Sequence, residues 1–365
     1  MYWSAVRYLF EEAQKSTEGA LLHRFFFREK MKIAVIGGGA VGLTTALQMQ
    51  RTLHNAEITI YASNLDNIVS NVAAGIFRVG SSYCGPSEEI TRKWIQDSYS
   101  FYDDISKLPD AFQAGVTSIS GYMFANSLNI IKNHWMEKLM PIYRNVTEEE
   151  FQLVGGDWKF GCFFTTLLTE CKLYLPWTLQ QLKSNGATIK RQKIDSLKEL
   201  TKEYDIIMNC TGLGARNLCN DRHMVPIRGQ VIKVAAPWLK TFFYGELDTY
   251  IIPGFNGVVT LGGTRNFDSE NLKLCPYESA AIRNRCETLV PSLKMAKNIR
   301  EEVGLRPHRD GGVKVELEFI SDGCAKTTII HNYGHGGYGV CTAPGTAQYA
   351  VQLAINAHRS SIAKL

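Results

Sequence analysis

The chain has no uninterrupted apolar run of about 18 residues, the least that crosses a bilayer as a helix, so a membrane span is excluded. It has no block of five or more consecutive basic residues. Its formal charge is only +5, from 40 basic against 35 acidic residues, which does not support nucleic-acid binding and points at most to an anionic ligand or substrate. Cys-x-x-Cys is absent: the nine cysteines are scattered and odd in number, and the eight histidines are equally dispersed. Neither a disulfide framework nor a metal site is therefore expected, and a reducing compartment is. Internal repeats, low-complexity tracts and long linkers are also missing. What is present is an ordinary globular balance, 45% hydrophobic and 21% charged over 365 residues, enough for a substantial core and two domains. Glycine is plentiful, 31 residues, and gathers at the ends of apolar runs, where tight turns and close backbone–ligand approach occur.

Residues 1–30 carry charges of both signs, including Glu11, Glu12, Arg24 and Arg28, and lack the continuous apolar stretch of a secretory signal. They are read as a poorly ordered N-terminal extension, with a transit-like segment as the alternative and the fold starting at Met31. At the other end, 361–365 reads as a tail whose Ala363-Lys364-Leu365 is a near relative of the Ser-Lys-Leu peroxisomal address.

Between these ends, Ile33-Ala34-Val35-Ile36 is a short apolar run. Gly37-Gly38-Gly39-Ala40-Val41-Gly42 follows, then a stretch with helical spacing, then a second strand pattern at 56–62. Strand, glycine turn, helix, strand is the dinucleotide-binding βαβ unit. Its first glycine permits the turn, the second admits pyrophosphate, the third lets helix meet strand, and the helix N-terminus faces the phosphates. The acidic residue expected at the end of the second strand is missing; Ser63 and Asn64 stand there, with Asp66 just beyond. Two later apolar runs also end in glycine turns, at 204–216 and 327–339. Alternating patterns lie between them, in Gly229–Pro237, Thr249–Gly254 and Gly257–Thr264. The expectation is a discontinuous α/β nucleotide-binding domain with a mixed or antiparallel sheet inserted as a second domain.

The run His331-Asn332-Tyr333-Gly334-His335-Gly336-Gly337-Tyr338-Gly339, followed by Gly345-Thr346-Ala347, resembles the C-terminal signature of the D-amino-acid oxidase and D-aspartate oxidase family. Supporting pieces are Val72-Ala73-Ala74-Gly75, Asn209-Cys210-Thr211-Gly212, Arg228-Gly229-Gln230, Tyr250-Ile251-Ile252-Pro253-Gly254 and Gly304-Leu305-Arg306-Pro307. The resemblance runs from Met31 to about Arg359. It implies a Rossmann-like FAD-binding domain built from 31–80, 155–225 and 300–360, with a mixed-sheet substrate domain from 81–154 and 226–299. It also implies oxidation of a D-amino acid by FAD and O2 to the 2-oxo acid, ammonia and hydrogen peroxide. Peroxide makes a peroxisomal matrix location sensible, through an import receptor for the C-terminal tripeptide, with the cytoplasm as the alternative. Monomer and homo-oligomer both stay open.

By that resemblance Gly37, Gly38, Gly39, Val41 and Gly42 hold the pyrophosphate. Ser63, Asn64, Ile194, Thr211 and Gly212 lie toward the adenosine, and Ser70, Ala74, Gly75 and Ile76 toward the flavin. Gly336, Gly337, Tyr338, Gly339, Val340 and Cys341 run past the ring. Cys341 stands where the family carries a hydroxyl that bonds a flavin carbonyl, and a thiol is the weaker donor. Asn71 replaces the usual aspartate, so with Ser63 two negative charges near the cofactor are gone. Arg306 is the implied clamp on the substrate α-carboxylate, which a planar guanidinium grips with two parallel hydrogen bonds; Tyr250 assists, and the Gly337 carbonyl accepts from the amine. A structural ion pair is the bland alternative for Arg306, and a core tyrosine for Tyr250. Arg265, in Gly-Gly-Thr-Arg as in D-aspartate oxidases, is expected to receive a side-chain carboxylate, unless it is only a solvated strand end. Arg78 is a further cation at the pocket mouth. The segment 242–250 corresponds to the lid and lacks the tyrosine of neutral-substrate oxidases, and Glu246 or Asp248 either repels an acidic substrate or pairs with Arg78. No general base is assigned. The rivals are an oxidase of neutral D-amino acids, an inactive flavin-binding protein and, more distantly, an NAD-dependent dehydrogenase.

Overall fold

A computed structural model describes residues 30–322 and 325–362 of the chain. The N-terminal extension and the Ala363-Lys364-Leu365 tripeptide lie outside the described residues. In chain order the strands are β1 (Lys32–Ile36), β2 (Glu57–Tyr61), β3 (Val116–Ala125), β4 (Ile142–Asn145), β5 (Phe160–Thr169), β6 (Thr188–Lys190), β7 (Ile206–Asn209), β8 (Met224–Ala235), β9 (Phe242–Tyr244), β10 (Tyr250–Pro253), β11 (Val258–Gly262), β12 (Asn266–Phe267), β13 (Lys297–Arg309), β14 (Lys314–Asp322) and β15 (Ala325–Tyr333). The longer helices are α1 (Ala40–Thr52), α2 (Glu88–Ser106), α3 (Cys171–Ser184), α4 (Pro276–Leu289) and α5 (Gly339–Ile362).

One sheet has the order β14-β15-β7-β1-β2-β6. Its pairs are parallel except β14 with β15. Strands β1 and β7 are almost wholly buried, as a parallel sheet covered on both faces requires. The second sheet runs β12-β8-β11-β10-β9-β3-β5-β4, with β13 also paired to β8. It is antiparallel except where β3 meets β9. Two strands and one helix fall on the other side of the expected partition. Strand β5 pairs with β3 and β4, and β13 pairs with β8, so 160–169 and 297–309 extend the second sheet rather than the cofactor sheet. Helix α2, inside 81–154, packs instead on α5 beside the first sheet.

Helix α1 buries residues all round, including Leu43, Thr44, Ala46, Leu47 and Met49, so it is a core helix rather than a half-wet one. Helix α2 starts at Ser87, whose hydroxyl accepts from the Ile90 amide at 3.2 Å, with Glu88 and Glu89 facing the positive end of the dipole. Its apolar stripe buries Trp94, Ile95, Tyr102 and Ile105. Helix α5 crosses α2 at Gly345: a Cβ there would collide with the Trp94 carbonyl, and the Gly345 amide donates to Ser98 Oγ at 2.7 Å. The glycine of the Gly-Thr-Ala signature thus works as a helix-crossing point.

Candidate functional site

Strand β1 delivers the chain to Gly37, whose φ of +132° only glycine adopts readily. A Cβ there would strike the Cys210 carbonyl, and one at Gly42 would strike the Gly37 carbonyl. These glycines let the turn, β7 and α1 close on one another, leaving the first turn of α1 open with its unpaired amides. One of those amides is already met: Ala40 N donates to Ser70 Oγ at 3.1 Å, which places Ser70 at the helix start. Asn64 turns its Oδ1 back to the Asp66 and Asn67 amides at 2.9 and 3.1 Å, so that oxygen serves its own loop. Asn71 Nδ2 donates to the Asp66 carbonyl at 2.7 Å. Thr211 donates its hydroxyl to Asn209 Oδ1 at 2.8 Å.

Gly37, Ala40, Asn64, Asp66, Ser70, Asn71 and Thr211 line a cavity of about 1860 Å³ whose walls come from both sheets. It runs past Ser63, Asp66, Ile194 and Gly212, then Ser70 and Ala74–Ile76, to Gly336–Cys341. Gly75 takes φ +82°, and a Cβ there would meet the Thr169 carbonyl. The Cys341 thiol donates to the Ile76 carbonyl at 3.1 Å, and burial pushes its pKa up to about 11, so it stays protonated at neutral pH. The thiol therefore does not stand in for a hydroxyl aimed at a cofactor; it is committed to the neighbouring backbone. Tyr338 packs edge-on against Tyr83, ring centroids 5.7 Å apart.

At the far end Arg306 rises from β13. Its Nη1 donates to the Thr264 carbonyl at 3.0 Å and lies 3.5 Å from the Arg228 carbonyl. Gly229 of β8 lies under the guanidinium and Gly337 beside its stem: a Cβ on Gly337 would sit 3.3 Å from Arg306 Cδ. Arg306 has no ion-pair partner among the described residues, which removes the structural-pair alternative. Tyr250 stands on β10 with Gly262 and Gly263 packed flat against its ring. Burial raises its pKa against the opposing charge of Arg306, so the phenol is a neutral donor. Buried His335 is pushed down to about 3 by desolvation and faces Thr346 Oγ1 at 2.9 Å, so it is neutral and occupied rather than a base.

Three further arginines line the cavity: Arg309, which pairs with Asp221 at 2.8 Å, and Arg265 and Arg78. Arg265 is 51% exposed and pairs with Asp248 at 3.0 Å. Leu247 and Asp248 take φ of 55° and 57°, a tight turn that carries the carboxylate across to Arg265. Glu246 instead accepts from the Asn126 amide at 2.7 Å. Arg78 is partly buried; its guanidinium lies 4.7 Å over the Tyr244 ring and 3.6 Å from Met123 Sδ. Sequence reasoning missed Tyr244, Met123 and the bracing role of Gly229. Tyr244 is masked within an apolar Phe-Phe-Tyr run, and only its register opposite Tyr250 brings it to the site.

The chain matches the family model for FAD dependent oxidoreductases over residues 32–353. It is 36% identical to D-aspartate oxidase of Homo sapiens over 338 residues, 91% of this chain and 98% of that protein. It is 32% identical to D-amino acid oxidase of Dugesia ryukyuensis, covering 88% and 97% of the two chains. This chain belongs to the family of FAD-dependent oxidoreductases. A crystal structure of glycine oxidase from Bacillus cereus superposes with a TM-score of 0.73 at 18% identity, covering 89% of this chain and 94% of that one, which shows the shared fold.

The cofactor of this oxidoreductase is FAD, and the residues fit it. The glycine cradle at Gly37–Gly42 admits backbone-close phosphate, and the cavity extends from there to Arg306 without interruption. Asn332, fully buried at the end of β15, lines it with an Oδ1 that lacks any hydrogen-bond partner. No described helix of the oxidoreductase is long and apolar enough to cross a membrane.

Proposed function

We propose that the protein oxidises acidic D-amino acids, D-aspartate and D-glutamate, with O2 as acceptor, yielding the 2-oxo acid, ammonia and hydrogen peroxide. The carrying observation is that Arg306 and Arg78 line one cavity without an ion-pair partner among the described residues, with Arg265 at its rim. The human relative named D-aspartate oxidase supports this reading. FAD, when bound, supplies the hydride acceptor.

The chain's own residues do the rest by position. Arg306, held from behind by the Thr264 carbonyl, presents its remaining N–H groups to the α-carboxylate. Tyr250 donates its phenol to the same carboxylate. Gly337, without a Cβ beside the Arg306 stem, leaves its carbonyl accessible to the α-amine. No side chain is assigned as base: fixing a deprotonated amine and the Cα–H in line with the acceptor is the catalytic contribution. Gly37–Gly42 with Val41 hold the pyrophosphate, Ser63, Ile194 and Thr211 the adenosine, and Ala74–Ile76 with Gly336–Val340 the ring.

A second reading, neutral D-amino acids, draws on Asp248, whose carboxylate already occupies Arg265. Stripping water from a substrate carboxylate costs on the order of several kcal/mol unless a cation meets it. Steady-state peroxide formation with D-Asp, D-Glu, D-Ala and D-Met decides: a preference of at least tenfold for the acidic pair is expected, and equal or better turnover of D-Ala refutes the acidic assignment. If Ala363-Lys364-Leu365 directs import, a fluorescent fusion keeping that terminus becomes punctate and one lacking it stays diffuse.

A further inference from the structure

Arg78 is a partly buried cation without an ion-pair partner among the described residues. Its guanidinium stacks 4.7 Å over Tyr244 and touches Met123 Sδ at 3.6 Å, yet forms no ion pair among the described residues. The groups in contact with it are uncharged, and Glu137, felt by Tyr143 and Cys162 as Arg78 is, forms no ion pair with it. Tyr244 is held protonated by burial, Cys341 is a protonated thiol, and Met123 is buried. A π-face steadies a guanidinium but leaves its N–H edge unfilled. Burial of a charge without a counter-charge is unfavourable, and a ligand carboxylate at this wall of the cavity would supply the missing charge. The contrast with Arg265 is direct. That guanidinium is half in water and already holds Asp248 at 3.0 Å, so a substrate carboxylate there must displace a resident one, in a setting where ion pairs contribute little.

Resting on the acidic-substrate reading above, we propose that Arg78, rather than Arg265, is the seat of the substrate's distal carboxylate and sets the preference for acidic over neutral side chains. The geometry is consistent from end to end. Tyr250 carries Arg306's influence, and its ring centroid lies 6.0 Å from that of Tyr244, which in turn supports Arg78. Two tyrosines thus bridge the α-carboxylate clamp and the distal clamp along the β9–β10 pair, in which Tyr244 stands opposite Tyr250. The Tyr244 ring and Met123 Sδ hold the guanidinium on one side, at the wall of the cavity.

The test compares D-Asp with D-Asn, which share shape and differ in charge. The ratio of their kcat/KM values is measured for wild type, Arg78→Met, Arg78→Lys and Arg265→Ala, each confirmed to retain FAD by its visible spectrum. In Arg78→Met the D-Asp/D-Asn ratio should fall roughly 100-fold, the scale of removing one partner of a desolvated charge pair. Arg78→Lys should recover at least tenfold of that loss, and Arg265→Ala should shift the ratio less than fivefold. Because a ratio is read, a poorly folding variant cannot mimic the result. If Arg265→Ala abolishes the ratio while Arg78→Met preserves it, the assignment to Arg78 is overturned although the acidic reading stands. If wild type itself shows no preference for D-Asp over D-Asn, the acidic reading falls, and this one with it.

Discussion

Gly229→Ala separates catalysis from folding in this enzyme. A Cβ at this position would lie 2.5 Å from Cζ and Nη1 of Arg306, whereas an ordinary contact needs 3.4 Å or more. The guanidinium must therefore retreat by about 1 Å, and a misplacement of that size costs on the order of 100-fold in rate when a reacting group is held by it. The obstacle is the far end of a long side chain rather than backbone, so β8 itself need not shift. Gly229 stands within the continuous ladder of β8 and β13, where alanine is no worse than glycine for the backbone. We expect a melting temperature within about 4 °C of wild type, the shift that about 1–2 kcal/mol gives in a protein of this size. Anaerobic mixing with D-amino acids should show flavin bleaching slowed about 100-fold for acidic and neutral substrates alike, since all share the α-carboxylate. Bleaching at the wild-type rate by a folded variant would refute the clamp. So would collapse of the fold, because the guanidinium would then not be the part that gives way.

Three further outcomes are expected. Gly345→Ala drives a Cβ into the Trp94 carbonyl at the α2–α5 crossing and should destabilise urea unfolding by about 1–3 kcal/mol; an unchanged midpoint would contradict the crossing. Lys233, 6% exposed on β8, has its pKa pushed down to about 8 by burial, while the unfolded chain titrates at 10.5. The folded form binds fewer protons in that window, so stability rises from pH 8 to 10.5, by at most about 3 kcal/mol at 1.36 kcal/mol per pH unit. Lys233→Met should lose this slope in urea titrations, and parallel profiles would show that the lysine is not the group responsible. Arg306→Ala should depress kcat/KM for every D-amino acid by a similar factor; selective loss on acidic substrates would reassign it.

The nucleotide-binding half was legible because its signals are local. Strand, glycine turn and helix occupy 32–52; Gly42 answers to Gly37, Gly37 to Cys210 just past β7, and Gly38 and Gly39 to the segment after β2. The second sheet was legible as strands but not as an arrangement. The alternating patterns at Gly229–Pro237, Thr249–Gly254 and Gly257–Thr264 fall on β8, β10 and β11, but Phe160–Thr169 and Lys297–Arg309 were not legible as strands of this sheet, and nothing within either segment states that its partners are β3 and β8. Arg306 stands out through the resemblance and its place between an apolar residue and a proline, and it lines the cavity without an ion-pair partner among the described residues. The state of Arg265 was not legible: its partner Asp248 is 17 residues earlier, delivered by a left-handed turn that no periodicity announces. The direction of Cys341 was not legible, because the thiol's bond to the Ile76 carbonyl depends on the start of α5 meeting a loop 265 residues earlier.

The order of neighbours around β1 sets a timetable for synthesis. Its flanking strand β7 starts at Ile206, and β15, which covers β7, starts at Ala325. The first glycine turn therefore emerges from the ribosome long before the walls that enclose it. A nascent chain holds an incomplete sheet with an unpaired edge for most of its translation, the situation in which chaperones bind and aggregation competes. The wall formed by Gly336–Cys341 is added last, so only the nearly finished chain can gain stability from bound FAD.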